Sequence, residues 1–140
     1  MAAFSEAGRI GIWGRSGSGK STRAKRLIAK RKRAVVFDPQ DEYQHERGFF
    51  RVTTIDQVRA YMARNWRRNF RVAYVPPAGQ EMAALDRLSK LLKVAQRPFF
   101  DGHDERQICL LVEEMNECFP VTGIPRAFGG FGDLCSRGRH

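Results

Sequence analysis

An α/β fold built on a mostly parallel central sheet is the architecture this sequence predicts, and three observations carry it. Short apolar and β-branched runs alternate along the chain with segments whose apolar residues recur at helical spacing. The first run, Arg9-Ile10-Gly11-Ile12-Trp13, leads into a glycine-rich loop that opens directly onto a helix-forming stretch. The most continuous run, Ile108-Cys109-Leu110-Leu111-Val112, ends on two adjacent glutamates. Strands joined through helices pair in parallel by right-handed crossovers, and ligands then collect at the carboxyl ends of the strands. A length of 140 residues predicts one domain, residues 1–140.

Each element follows from local chemistry. Residues 9–13 form a short buried strand. Residues 20–32 are rich in Ala, Leu, Lys and Arg and place Ala24, Leu27 and Ile28 at helical spacing. Ala34-Val35-Val36-Phe37-Asp38 is a β-branched strand closed by Pro39, and Phe49–Val52 a short strand after it. Ile55–Trp66 reads as a helix with Ile55, Val58, Tyr61 and Met62 on one face and Thr54 as its N-cap. Phe70–Val75 is a strand stopped by Pro76-Pro77. Glu81–Gln96 is a helix whose apolar stripe is Met82, Leu85, Leu88, Leu91, Leu92 and Ala95. Gln107–Val112 is expected to be a central strand buried on both faces. Residues 125–137 are glycine-rich at first and turn helical around Phe131–Ser136.

Composition narrows the function classes. A hydrophobic fraction of 42% and a charged fraction of 29% describe an ordinary globular chain. No apolar run is long enough to span a bilayer, and Met1–Glu6 lacks the pattern of a secretory signal, so a cytoplasmic location is expected. The three cysteines, Cys109, Cys118 and Cys135, have neither disulfide nor zinc spacing, and His45, His103 and His140 share no metal-binding pattern. A net charge of +10, dominated by arginine, favours a polyanionic partner, because the guanidinium fork binds phosphate oxygens in pairs.

Gly14-Arg15-Ser16-Gly17-Ser18-Gly19-Lys20-Ser21 matches the phosphate-binding pattern G-x-x-x-x-G-K-[ST] at every fixed position. The glycines let the backbone wrap a phosphate chain and aim N–H groups at it. Lys20 places a cation on the β- and γ-phosphates, and the Ser21 hydroxyl is a Mg²⁺ ligand. The predicted nucleotide-binding residues are therefore Gly14, Arg15, Ser16, Gly17, Ser18, Gly19, Lys20, Ser21 and the adjoining Thr22, with ATP and Mg²⁺ as cofactors. The helix that follows presents the positive end of its dipole to the anion.

ATP hydrolysis also needs a carboxylate beside the metal and one that orients the attacking water. Glu113 and Glu114 supply two at a strand end, and successive strand residues face opposite ways, so the two can take different roles. Glu113 is expected to support Mg²⁺ and Glu114 to activate water, which makes Lys20 and Glu114 the predicted catalytic pair. The usual form of this acidic motif is Asp-Glu. Glu113 is one methylene longer.

Val36-Phe37-Asp38-Pro39-Gln40-Asp41-Glu42-Tyr43 resembles the segment after the second strand in HerA/FtsK-type ATPases, where an apolar strand runs into Asp-Pro and then Glu-Tyr. Leu134-Cys135-Ser136-Arg137-Gly138-Arg139-His140 looks like that family's helix ending in Gly-Arg. With the phosphate loop and the acidic pair, four landmarks stand in family order over about residues 9–140. The resemblance implies a P-loop NTPase three-layer sandwich of the RecA/ASCE type, with Asp38 and Glu42 near the nucleotide. It also implies a homo-oligomeric, usually hexameric, ring motor acting on double-stranded DNA. The compact spacing looks most like the DNA-packaging and mobile-element versions. In the family a sensor strand and further helices follow Gly-Arg; here the sequence stops at His140, so the expectation is either a truncated domain or a naturally shortened homologue. Arg137 and Arg139 are either contacts across a subunit interface or a solvated helix end.

Two basic clusters bear on the partner. Lys25-Arg26 and Lys30-Arg31-Lys32-Arg33 lie on and after the first helix, while Arg64, Arg67, Arg68 and Arg71 surround Trp66 and Phe70. They suit phosphate contact and base stacking without sequence preference, or equally a helix end neutralised by arginines with Trp66 in the core. Two other functions fit the phosphate loop. One is a small nucleoside or nucleotide kinase with Arg126 and Arg137 as lid candidates. The other is a nucleotide-binding module without turnover.

Overall fold

The computed structural model describes residues 19–46, 48–114 and 126–137. The predicted strand at 9–13 and the loop positions Gly14–Ser18 lie outside these. In chain order the elements are α1 (Lys20–Ala29), β1 (Arg33–Phe37), β2 (Phe50–Val52), α2 (Ile55–Arg64), β3 (Phe70–Tyr74), α3 (Glu81–Ala95), the short α4 (Arg97–Phe100), β4 (Cys109–Val112) and, after a 3-10 turn at Arg126–Phe128, α5 (Gly130–Arg137). The strands form one sheet in the order β2-β3-β1-β4, and every pairing is parallel.

Strand alternation sorts the core into two layers. Val35 and Phe37 of β1 and Phe70, Val72 and Tyr74 of β3 meet Val58 and Met62 of α2 and Leu85, Leu88 and Leu92 of α3. Phe131 and Leu134 of α5 pack against the same cluster. On the opposite face Ala34, Val36 and Ala73 meet Ile28 of α1 and the ring of Tyr43, with Cys109 and Leu111 of β4 packed against them. Helices thus cover both faces, which is the three-layer α/β sandwich the sequence predicts. Leu27, which shares the spacing of Ala24 and Ile28, falls outside the contact stripe and is exposed.

Ends are set by specific hydrogen bonds. Thr54 caps α2 in a full capping box: its side chain accepts from Gln57 N–H while the Gln57 side chain accepts from the Thr54 N–H. The α2 helix stops at Arg64, short of the predicted Trp66, where Asn65 Nδ2 donates to Tyr61 O at 2.9 Å. Helix α1 stops at Ala29, short of 32, because Arg71 donates to the carbonyls of Ala29 and Arg31 and the Lys32 carbonyl already accepts from Phe70 N–H. Buried Gln96, the C-cap of α3, ties the helix end to the entry of β4: it donates to Arg106 O at 3.0 Å and accepts from Ile108 N–H at 2.8 Å. Asp86, only 5% exposed, accepts from Gly130 N–H at 2.8 Å and pairs with Lys90, which seats α5 on α3.

Both faces of β4 are covered, as the sequence predicts: Leu110 and Val112 pack on the α2–α3 side and Cys109 and Leu111 on the α1 side, each half-buried. Among the described residues its pairing partner is β1.

Candidate functional site

Of the predicted phosphate-loop residues, Gly14, Arg15, Ser16, Gly17 and Ser18 lie outside the described residues. Gly19 is the N-cap of α1 at φ +87°, a backbone conformation that strains any side-chain-bearing residue there. Lys20 is the first helical residue, Ser21 follows it in the helix and Thr22 is exposed. Among the described residues no side chain caps α1 and its first turn holds no acidic residue, in contrast to the closed capping box of α2. Uncapped N–H groups at a helix start are able to bind an anion.

The second part of the site gathers at the carboxyl ends of β1 and β4. Glu113 N–H donates to Phe37 O at 3.1 Å, extending the β4 pairing by one residue. By alternation from Cys109 and Leu111, Glu113 belongs to the face that carries α1. Tyr43 O–H donates to Glu113 Oε1 at 2.8 Å. Burial, above all, pushes the Glu113 carboxyl pKa up; the Tyr43 hydrogen bond pulls it back, and Glu42, Asp38 and Glu114 raise it further. Burial likewise raises the Tyr43 hydroxyl, with Glu113 adding to it, so that group stays a donor.

Glu114 leaves the strand. Its φ is +51°, in the left-handed region that non-glycine residues seldom occupy. The predicted separation of roles by strand alternation therefore stops at Glu113, and Glu114 is turned by backbone conformation instead. Strain of this kind costs about 1–3 kcal/mol and clusters at functional positions.

Asp38 is 1% exposed, and both its oxygens are used: Oδ1 accepts from Glu42 N–H and Oδ2 from Tyr43 N–H, each at 3.0 Å. These bonds make Asp38 a turn-forming residue, beyond the place near the nucleotide that the resemblance implies for it. The residue that the motif delivers to the acidic pair is Tyr43. It is wholly buried, lies edge-on to Phe49 with centroids 5.3 Å apart, and carries Lys25 of α1 above its ring at 5.3 Å. Tyr43 was quoted in the sequence motif but not assigned to the site. The signal was an aromatic residue at fixed spacing from Asp38; its partner is 70 residues away and leaves no local trace.

The chemistry of the donors suits Mg²⁺. Carboxylate oxygens are the hard ligands this ion prefers, and it is commonly bound through one or two carboxylates, waters and substrate phosphates. Among the described residues no three His, Cys, Asp or Glu side chains form a metal cage on their own.

Parts of the basic clusters lie at the other end of the sheet. Residues 30–32 precede β1, residues 67–69 precede β3 and Arg106 precedes β4, so in an all-parallel sheet they share its amino edge, whereas Lys25 lies over the Tyr43 ring. Stacking on the aromatics there is corrected. Phe70 is buried, Trp66 packs half-buried on the core with Phe70, and Arg106 lies over the Trp66 ring at 5.8 Å. Arg71 is spent on the α1 carbonyls. Arg126 is exposed and Arg137 is the last residue of α5, while Arg139 lies outside the described residues. Among the described residues no helix is long and apolar enough to cross a membrane.

A family model described as Helicase HerA, central domain, matches residues 7–96. The matched stretch contains the phosphate loop and the Asp38–Tyr43 segment and ends before the acidic pair. No curated protein and no solved structure matches the chain.

Proposed function

This chain belongs to the HerA central-domain family, and from that premise we propose that it binds and hydrolyses ATP with Mg²⁺ as a motor acting on double-stranded DNA. The observation that carries the proposal is the phosphate-loop sequence running through left-handed Gly19 into the start of α1 at Lys20. The loop backbone from Gly14 to Gly19 and the first N–H groups of α1 hold the phosphates, and Lys20 balances their charge. Ser21 and Glu113 would hold Mg²⁺, which supplies charge neutralisation at the phosphate oxygens. Glu114 accepts a proton from the attacking water as its oxygen closes on the γ-phosphate. The amino-edge arginines and lysines bind DNA phosphates without reading sequence. The family further supports a homo-oligomeric ring, and the compact spacing a DNA-packaging role in a phage or mobile element.

The test is calorimetric ATP binding together with steady-state hydrolysis, each with and without double-stranded DNA, and a mass measurement of the oligomer. Lys20→Ala abolishes binding. Glu114→Gln retains binding and loses about 100-fold or more in turnover, the usual contribution of a general base. Equal turnover in Glu114→Gln and the parent refutes the catalytic assignment. Tight binding without turnover in the parent selects the passive module, and turnover stimulated by a nucleoside but not by DNA selects the kinase.

A further inference from the structure

We infer that Tyr43 is a positioning residue for Glu113, and that the Asp38–Tyr43 turn exists to deliver its hydroxyl to that carboxylate. The inference rests on the nucleotide-binding reading above and assigns the Asp-Pro-x-x-Glu-Tyr segment a task within it. Three contacts converge on the tyrosine. Asp38, at the carboxyl end of β1, grips the N–H of Tyr43 and of Glu42 through its two oxygens, fixing where the chain turns back. Val36 and Ala34 of β1, with Ile28 of α1 and Ala73 of β3, enclose the ring and fix its direction. From that apolar cluster the hydroxyl donates to Glu113 Oε1 at 2.8 Å.

The pairing answers a problem of glutamate chemistry. A glutamate has one more side-chain torsion than an aspartate, so its carboxylate sweeps a larger volume and loses more freedom when it is ordered. A donor anchored in the core removes that freedom before a ligand arrives, as partners outside the metal's own ligand set commonly do. Tyr43 engages Oε1, so the second oxygen is presented in a fixed direction. The ring also lies under Lys25 of α1, which is paired with Glu46 at 3.0 Å. One side chain therefore touches both the helix that follows the phosphate loop and the acidic end of β4.

The test uses the full chain and reads metal dependence, not turnover. Nucleotide affinity is measured by calorimetry across a Mg²⁺ titration, and the Mn²⁺–ATP complex is recorded by electron paramagnetic resonance. Tyr43→Phe keeps the ring and deletes the hydroxyl. It is expected to leave metal-free ATP affinity within about twofold of the parent while raising the Mg²⁺ half-saturation about tenfold, the lower end for loss of such a partner. The Mn²⁺ spectrum should broaden as the carboxylate samples more positions. Glu113→Asp retracts the carboxylate from the hydroxyl and from the metal, so it should lose at least as much, and it keeps the question open to an answer if Tyr43→Phe does not fold. The double variant should lose no more than Glu113→Asp alone, because the contact that Tyr43→Phe deletes is already gone.

Parental Mg²⁺ half-saturation in either variant overturns the inference, and so do losses that multiply in the double variant. A parent that binds ATP with no Mg²⁺ dependence overturns it alone and leaves nucleotide binding intact. A parent that binds no ATP overturns the functional reading, and this inference with it.

Discussion

Removing the Asp38 carboxylate would leave two backbone donors without their acceptor. The side chain is 1% exposed and accepts from Glu42 N–H and Tyr43 N–H at 3.0 Å each. A hydrogen bond to a charged group contributes about 1.5–3 kcal/mol, so losing both in Asp38→Ala sets an upper range of about 3–6 kcal/mol. Tyr43 N–H is buried and bears its share in full, whereas Glu42 is exposed and water can replace part of its bond. The expected cost is then about 3–4 kcal/mol. Asp38→Asn is the sharper variant. It conserves volume and one acceptor oxygen but sets an amide N–H against the second backbone N–H, so about 2 kcal/mol should be lost with no cavity formed. Urea unfolding followed by circular dichroism measures both, and for a domain of this size about 3 °C of melting temperature accompanies each kcal/mol. An Asp38→Asn chain within about 0.5 kcal/mol of the parent, the spread of an ordinary surface change, would refute the claim that both oxygens organise the turn.

Two further outcomes test the packing. In Gly130→Ala the new methyl would stand 2.7 Å from Asp86 Oδ1 and 2.9 Å from the Asp86 carbonyl oxygen, forcing α5 off α3; a loss of about 2–3 kcal/mol is expected. Gly102→Ala, at φ +78° but with open space around it, should cost only about 1 kcal/mol in thermal melts, and the reverse order would contradict the close approach. Burial raises the Cys109 thiol pKa, so at any pH below that value less thiolate is present than in the unfolded chain. Peptide-resolved alkylation should therefore be slower at Cys109 in the folded chain at pH 8 and catch up as pH rises; equal rates at pH 8 in folded and unfolded chain would overturn this.

Much of the fold was legible because its signals are local. The β-branched run Ala34–Phe37 and the run Phe70–Tyr74 ahead of two prolines indicated strands, the spacing of Leu85, Leu88 and Leu92 indicated α3, and Thr54 marked a helix start to the residue. The helix end at Ala29 was not legible, since it depends on Arg71 arriving from 42 residues away. Nor was α4, where Pro98 in a short aromatic run suggests a turn as readily as a helical one. The apolar content of Ile108–Val112 indicated burial but carries no information on how many strands flank it. For the proposed site, Lys20, Glu113 and Glu114 stand out in the sequence by type and order alone. Asp38 and Tyr43 were visible as a motif, yet which of them reaches the acidic pair depended on tertiary geometry. An arginine on a helix carbonyl and one free for phosphate are identical in sequence, as Arg71 shows.

The all-parallel arrangement has an effect on how the molecule meets its surroundings. Because every strand runs the same way, the residues before the strands collect lysine and arginine at one pole, while Asp38, Asp41, Glu42, Glu113 and Glu114 collect at the other. At long range and low salt a polyanion would then meet the cationic end first, and the carboxylate end, whose charge Lys25 partly offsets through its pair with Glu46 at 3.0 Å, would be left to smaller ligands.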